Sequence, residues 1–181
     1  MIILMGIVGA GKGTQAQMLA DHSGFKAIST GDLLRKYATE EQHRRMLAGE
    51  LLDDDEIIEM VDKVLTNEED PAKCLLDGFP RSVKQTKWLM EQIRLGRFKL
   101  TEILHLIVSE DIVRKRMLAR GRPDDTEETI AKRFQEYHSI TEPILEYMEQ
   151  QKIKVVDIDG DQEPEAVHRD VVRAIEQALE R

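Results

Sequence analysis

Along the chain, short apolar runs alternate with longer stretches whose apolar residues recur at helical spacing. Ile2 to Gly6, Ala27 to Ser29, Cys74 to Asp77, Ile103 to Val108 and Val155 to Ile158 read as strands, and the segments between them as helices. This βαβ rhythm predicts an α/β fold, a parallel sheet covered by helices on both faces. Several helix ends are punctuated. Ser82 suits the N-cap of a helix running to Leu95 and stopping near Gly96, and Ser109 with Glu110 and Asp111 opens another that ends at Arg120. A long helical pattern from Thr126 to Gln151 contains Pro143, which should kink or divide it, and a last helix follows Pro164. Two stretches break the alternation: Thr30 to about Asn67 is helical without an obvious strand, and Arg120 to Asp125 is a turn.

The first strand runs into a glycine-rich turn, Gly-Ile-Val-Gly-Ala-Gly-Lys-Gly-Thr from Gly6 to Thr14, and an amphipathic stretch, Gln15 to His22, follows. Strand, glycine turn and helix together predict a phosphate cradle. Backbone N–H groups converge on phosphate oxygens, the helix N-terminus adds positive potential, and Lys12 reaches the outer phosphates. Gly9, Ala10, Gly11, Lys12, Gly13 and Thr14 are the candidates. Gly13 stands where such loops usually place a hydroxyl directly after the lysine, so magnesium cannot be ligated from that position. The metal is expected to be held by the nucleotide and by water, with Asp77 reaching it through water.

Composition narrows the partners. At 181 residues the chain is expected to be one domain, and a net charge of -9 with a pI near 5.1 argues against nucleic acid. A single cysteine, Cys74, offers no disulfide framework, and the five histidines show no ligand spacing, so no zinc is expected. No apolar run is long enough for a membrane span or signal segment, which predicts a soluble, cytoplasmic protein.

In so acidic a chain the arginines beside strand ends stand out. Arg81 follows the strand ending at Asp77, and Arg35 follows the strand ending at Ser29, so both are expected at the sheet edge that carries the phosphate loop. A second anion facing the first explains them economically. Arg116 and Arg120 share one helix face at i, i+4; a solvated basic face complementing the helix dipole is the plain alternative. Against it, the turn Gly121-Arg122-Pro123-Asp124-Asp125 supplies another arginine at once, and Arg133 follows on the next helix.

These motifs have a known counterpart. With Gly-Ala-Gly-Lys-Gly-Thr-Gln from Gly9, Ile-Ser-Thr-Gly-Asp-Leu-Leu-Arg from Ile28 to Arg35, Leu-Asp-Gly-Phe-Pro-Arg from Leu76 to Arg81 followed by Gln85, Asp-Asp-Thr-Glu-Glu-Thr and then Arg133, the chain resembles adenylate kinases over nearly its whole length. The resemblance implies a three-layer α/β/α P-loop NTPase domain over residues 1–181, with a five-stranded parallel sheet. It also implies a helical insertion for the acceptor nucleotide at 29–58 and a vestigial lid turn at 120–125. Residues Gly9 to Thr14 would hold the phosphates of ATP, with Arg116 and Arg120 flanking them and Gln162 near the base. Arg35, Arg81 and the Gly78-Phe79-Pro80 turn would hold the phosphate of AMP. Thr30, Gln85 and the backbone at Glu50, Leu51 and Leu52 would read its adenine. Lys12, Arg81, Arg120, Arg122 and Arg133 would surround the transferring group. The implied activity is magnesium-dependent phosphoryl transfer from ATP to AMP giving two ADP, by a monomer.

Other readings stay open residue by residue. Thr30 could be the N-cap of a helix starting at Gly31, and Ser82 to Gln85 is a capping box in its own right. Asp53 to Glu56 looks like a metal site but reads as a solvated helix start, and Cys74 and Trp88 read as packing. Related kinases of UMP and CMP usually carry Ala and Asn at the positions of Thr30 and Gln85. A shikimate-type kinase would not need both, and a non-catalytic nucleotide sensor would not need the full arginine set. An acceptor phosphate with a second pKa of about 6 is largely dianionic at neutral pH, so no general base is required. Two departures from the family stand out: Val8 replaces a usual proline, and almost nothing separates Arg120 from Arg122. A chain this close to lidless is expected to capture ATP weakly or to leak ATP hydrolysis.

Overall fold

Met1 to Met5 are all buried because β1 (Ile2–Met5) lies mid-sheet with helices on either side. A computed structural model describes residues 1–48, 52–123 and 125–180; the side chains of Arg35, Tyr37, Met46 and Leu47 also lie outside the described set. With β2 (Lys26–Ser29), β3 (Cys74–Asp77), β4 (Glu102–Ile107) and β5 (Val156–Asp159), β1 forms a five-stranded sheet in the order β2-β3-β1-β4-β5. Every pairing is parallel, with Ile2 opposite Leu75 on one side and Glu102 on the other. From β1 the chain passes to the edge strand β2 and returns through β3, then crosses to the other side of β1 and runs outward through β4 and β5. That reversal opens a crevice at the carboxyl edge.

The helices are α1 (Lys12–Ser23), α2 (Thr30–Tyr37), α3 (Glu40–Leu47), α4 (Asp54–Thr66), α5 (Val83–Arg94), α6 (Glu110–Arg120), α7 (Glu127–Glu136), α8 (Glu142–Gln150) and α9 (Pro164–Leu179). Ile2 and Leu4 point into one layer, where Leu19, Val113, Met117, Ile130, Phe134 and Val171 bury α1, α6, α7 and α9. Ile3 and Met5 point into the other, with Val61 and Leu65 of α4, Leu89 of α5, and Ile144 and Met148 of α8. Each fully buried leucine or isoleucine contributes roughly 1.5–3 kcal/mol, so these two layers are the main support of the fold.

The run Cys74 to Asp77 coincides with β3, and the other strands differ from their apolar runs by one residue at one or both ends. Polarity excludes Glu102 from such a run, yet it opens β4, buried opposite Ile2 and 3.4 Å from Lys154. Ser82 caps α5 by accepting from the Gln85 N–H at 3.1 Å. Ser109 occupies the N-cap of α6 without a side-chain bond, its own N–H going to Asp161 at 2.9 Å. Ser29, and not Thr30, caps α2. The stretch around Pro143 divides as a π-helical turn, Tyr137–Thr141, between α7 and α8. Pro143 has no N–H to bond and its ring crowds the carbonyl four residues earlier. The preceding turn widens, and the Glu142 N–H bonds the Tyr137 carbonyl five residues back.

Candidate active site

The loops that follow the strands border one cleft of about 1100 Å³ at the carboxyl edge of the sheet. On one side of it the turn after β1 needs glycine at Gly9, where φ is +90° and a Cβ would lie 2.8 Å from Met117 Cγ of α6. Lys12 opens α1 and folds back over this turn. Its Nζ donates to the carbonyls of Gly6 at 2.7 Å and Ile7 at 2.9 Å. Burial lowers its pKa to about 8, Arg81 and Arg120 push it the same way, and Asp77 opposes them. Asp77 and two of the singled-out arginines therefore lie close enough to Lys12 to act on its charge. Gly9 to Thr14 all line the cleft, as do Arg116, Arg120 and Gln162. Arg116 Nη2 donates to the carbonyls of Gly160 at 3.0 Å and Gln162 at 3.2 Å, fastening the loop after β5.

The opposite side is built from β2, β3 and the starts of α2 and α5. Thr30 is buried, and its hydroxyl donates to the Gly78 carbonyl at 2.8 Å. Arg81 Nε donates to the same carbonyl at 2.9 Å. Gly78, at φ +82°, permits this approach: a Cβ there would sit 2.7 Å from both Thr30 Oγ1 and Arg81 Nη2. Gln85 is 4% exposed and accepts from the Arg81 N–H at 2.7 Å. Its side chain thus reaches one residue beyond the capping-box partner, Ser82. Gly78, Pro80, Arg81, Gln85 and Leu52 line the cleft; Phe79 does not, its ring lying in the core edge-on to Trp88. Arg35 belongs to α2, but its side chain, like Glu50 and Leu51, lies outside the described residues.

Arg120, Arg122 and Arg133 also line the cleft, and they are organised by Asp125, a residue that the motif reading does not single out. Its carboxylate is fully buried and accepts from Arg120 Nε at 2.8 Å and Nη2 at 2.6 Å, from the Arg122 N–H at 3.1 Å, and from Arg133 Nη1 at 3.4 Å. Burial alone would raise the Asp125 pKa, but these hydrogen bonds and the charges of Arg120 and Arg133 hold it below the usual carboxylate value. The arginine surplus was the available signal, since like charges packed this closely need an acid among them. Glu136, Tyr137 and Thr141 complete the lining, and only the fold brings them there. Asp124, in the same turn, lies outside the described residues.

Among the described residues no group of three His, Cys, Asp or Glu side chains could hold a metal. The donor set fits magnesium carried on phosphates: a Cβ at Gly13 would lie 3.6 Å from Asp77 Oδ2, so one carboxylate faces the phosphate loop.

A family model described as adenylate kinase matches residues 4–153. The chain is similar to adenylate kinase 1 of Nostoc sp. (strain PCC 7120), 38% identical over 172 residues that make up 92% of this chain and 93% of that relative. It is 40% identical over 165 residues to the adenylate kinases of Mycobacterium ulcerans (strain Agy99) and Mycobacterium tuberculosis (strain H37Rv), covering 88% of this chain and 91% of theirs. The match runs from the phosphate loop through the arginine cluster to the end of α8, and on that extent the chain belongs to the adenylate kinase family.

Proposed function

We propose that the protein catalyses reversible transfer of the γ-phosphoryl group of magnesium-ATP to AMP, giving two ADP. The observation that carries this reading is that Lys12, Arg81, Arg120, Arg122 and Arg133 all line one cleft. In this reading the phosphate loop and Lys12 hold ATP, with Arg116 and Gln162 beside its base. Arg35 and Arg81 hold the AMP phosphate, while Thr30, Leu52 and Gln85 face its adenine. The helices from α2 to the start of α4 act as the acceptor-binding insertion. Catalysis consists of alignment and charge neutralisation. Two polyanions are held in line, and arginines meet the charge that spreads over the moving phosphoryl group. When bound with ATP, magnesium would neutralise phosphate charge, and Asp77 would hold it through water. The AMP phosphate, already dianionic, attacks without a general base. The enzyme in this reading is a cytoplasmic monomer acting on nucleotides alone. No described helix is long and apolar enough to cross a membrane.

Steady-state kinetics of Lys12→Met and Arg81→Lys test the assignment. Each is expected to lower kcat by about 10²-fold or more, with thermal melting close to wild type and the AMP KM raised chiefly in the Arg81 variant. Full activity in either variant would contradict the role given to that residue.

A further inference from the structure

The amide of Gln85 is held at both ends. The Arg81 N–H donates to its Oε1 at 2.7 Å, and its Nε2 donates to Asp54 Oδ1 at 2.6 Å. The other Asp54 oxygen accepts from Ser82 Oγ at 2.7 Å, so the carboxylate is itself oriented between α4 and α5. A backbone N–H can only donate and a carboxylate can only accept. Turning the amide over would set N–H against N–H and carbonyl against carboxylate. One orientation satisfies both neighbours, and it leaves one N–H and one oxygen lone pair of Gln85 for the cleft that this residue lines.

Such a pair complements a base edge that offers an amino donor beside an unprotonated ring nitrogen, as in adenine and cytosine. Hypoxanthine, guanine and uracil present the reverse, a carbonyl oxygen beside a ring N–H. An unpinned glutamine could flip to suit either edge. We infer that Asp54 is a determinant of acceptor specificity: together with the Arg81 N–H it locks the amide of Gln85, so that the site selects amino-base monophosphates over keto-base ones. Asp54 is a positioning residue, since it acts through Gln85, and the inference rests on the proposal that Gln85 faces the acceptor base.

The test compares kcat/KM for AMP, IMP, CMP and UMP in wild type, Asp54→Asn, Asp54→Ala and Gln85→Leu, with melting curves for each. Wild type is expected to prefer AMP over IMP and CMP over UMP. Asp54→Ala is expected to lower the AMP-to-IMP ratio at least about tenfold, the equivalent of one misplaced hydrogen bond, and Asp54→Asn, whose side-chain oxygen can still accept from Gln85, by less. Asp54→Ala, which needs no new hydrogen bond to fold, serves if Asp54→Asn is unstable. If AMP and IMP rates fall together at a constant ratio, Asp54 is merely structural and the inference is overturned. A ratio that collapses in Gln85→Leu but holds in the Asp54 variants overturns this inference alone, whereas a ratio unchanged in Gln85→Leu removes Gln85 from base reading altogether.

Discussion

Asp125 shows how much a single carboxylate can organise. Its side chain is fully buried while Arg120 keeps 29% and Arg133 13% of theirs exposed, so removing the acid would take a buried carboxylate partner from two guanidinium groups at the cleft wall. Asp125→Asn is expected to cost about 3 kcal/mol at neutral pH, the low end for breaking a buried pair because Arg120 is partly exposed. Because the folded-state pKa is depressed, this stabilisation is present above the ordinary value of 3.8 and is lost as pH falls through the lowered one. Denaturant melts of both proteins should therefore differ at pH 7 and converge in acid; a constant difference would contradict the assignment. At this scale the sequence was partly legible. Lys12, Arg81 and Gly78 announce themselves by motif, but an acidic pair in a polar turn looks like any exposed turn. What buries Asp125 is contact with α6 and α7. Asp54 is hidden for the same reason: its partner Gln85 lies 31 residues away, across two helices.

Elements were more readable than residues where burial runs along the backbone. Central strands such as Cys74–Asp77 appear as unbroken apolar runs because helices cover both faces, and Ser82 marks the start of α5 through a local bond. The π turn at Tyr137–Thr141 was less so, since helical periodicity carries no sign of a widened turn and Pro143 reveals only that something must give. Side chains from other elements hold it. Tyr137 Oη lies 2.7 Å from His105 Nε2, and His105 Nδ1 lies 2.9 Å from Asp157 Oδ1, its register neighbour on β5. His138 bonds Glu110 at 2.8 Å and Glu142 at 3.0 Å, which raises its pKa, Glu110 first and Glu142 second. A raised histidine stabilises fully below its ordinary value of 6.5, and the effect is lost as pH rises through the raised value. His138→Asn should thus lower stability at pH 5 and leave it unchanged at pH 9, by less than about 1 kcal/mol since the pair is half exposed. An equal loss at both pH values would mean that packing, and not charge, holds the turn.

Over the whole molecule, the cleft joins the ends of β1, β2 and β3, the starts of α1, α2, α5 and α9, and the turn between α6 and α7. Gly121 ends α6 in a left-handed conformation and α7 begins at Glu127, so the connection between them is short. In the proposed reading it gives the transferring phosphate little cover, water competes with the acceptor, and ATP hydrolysis without AMP is expected. The measurement that bears most directly on the account is ADP formation by the purified protein from magnesium-ATP, with AMP, CMP, UMP, GMP, shikimate or no acceptor. The account predicts ADP chiefly with AMP, together with a slow but measurable rate when no acceptor is present. A higher rate with UMP or GMP than with AMP, or ATP binding with no transfer to any acceptor, would contradict it.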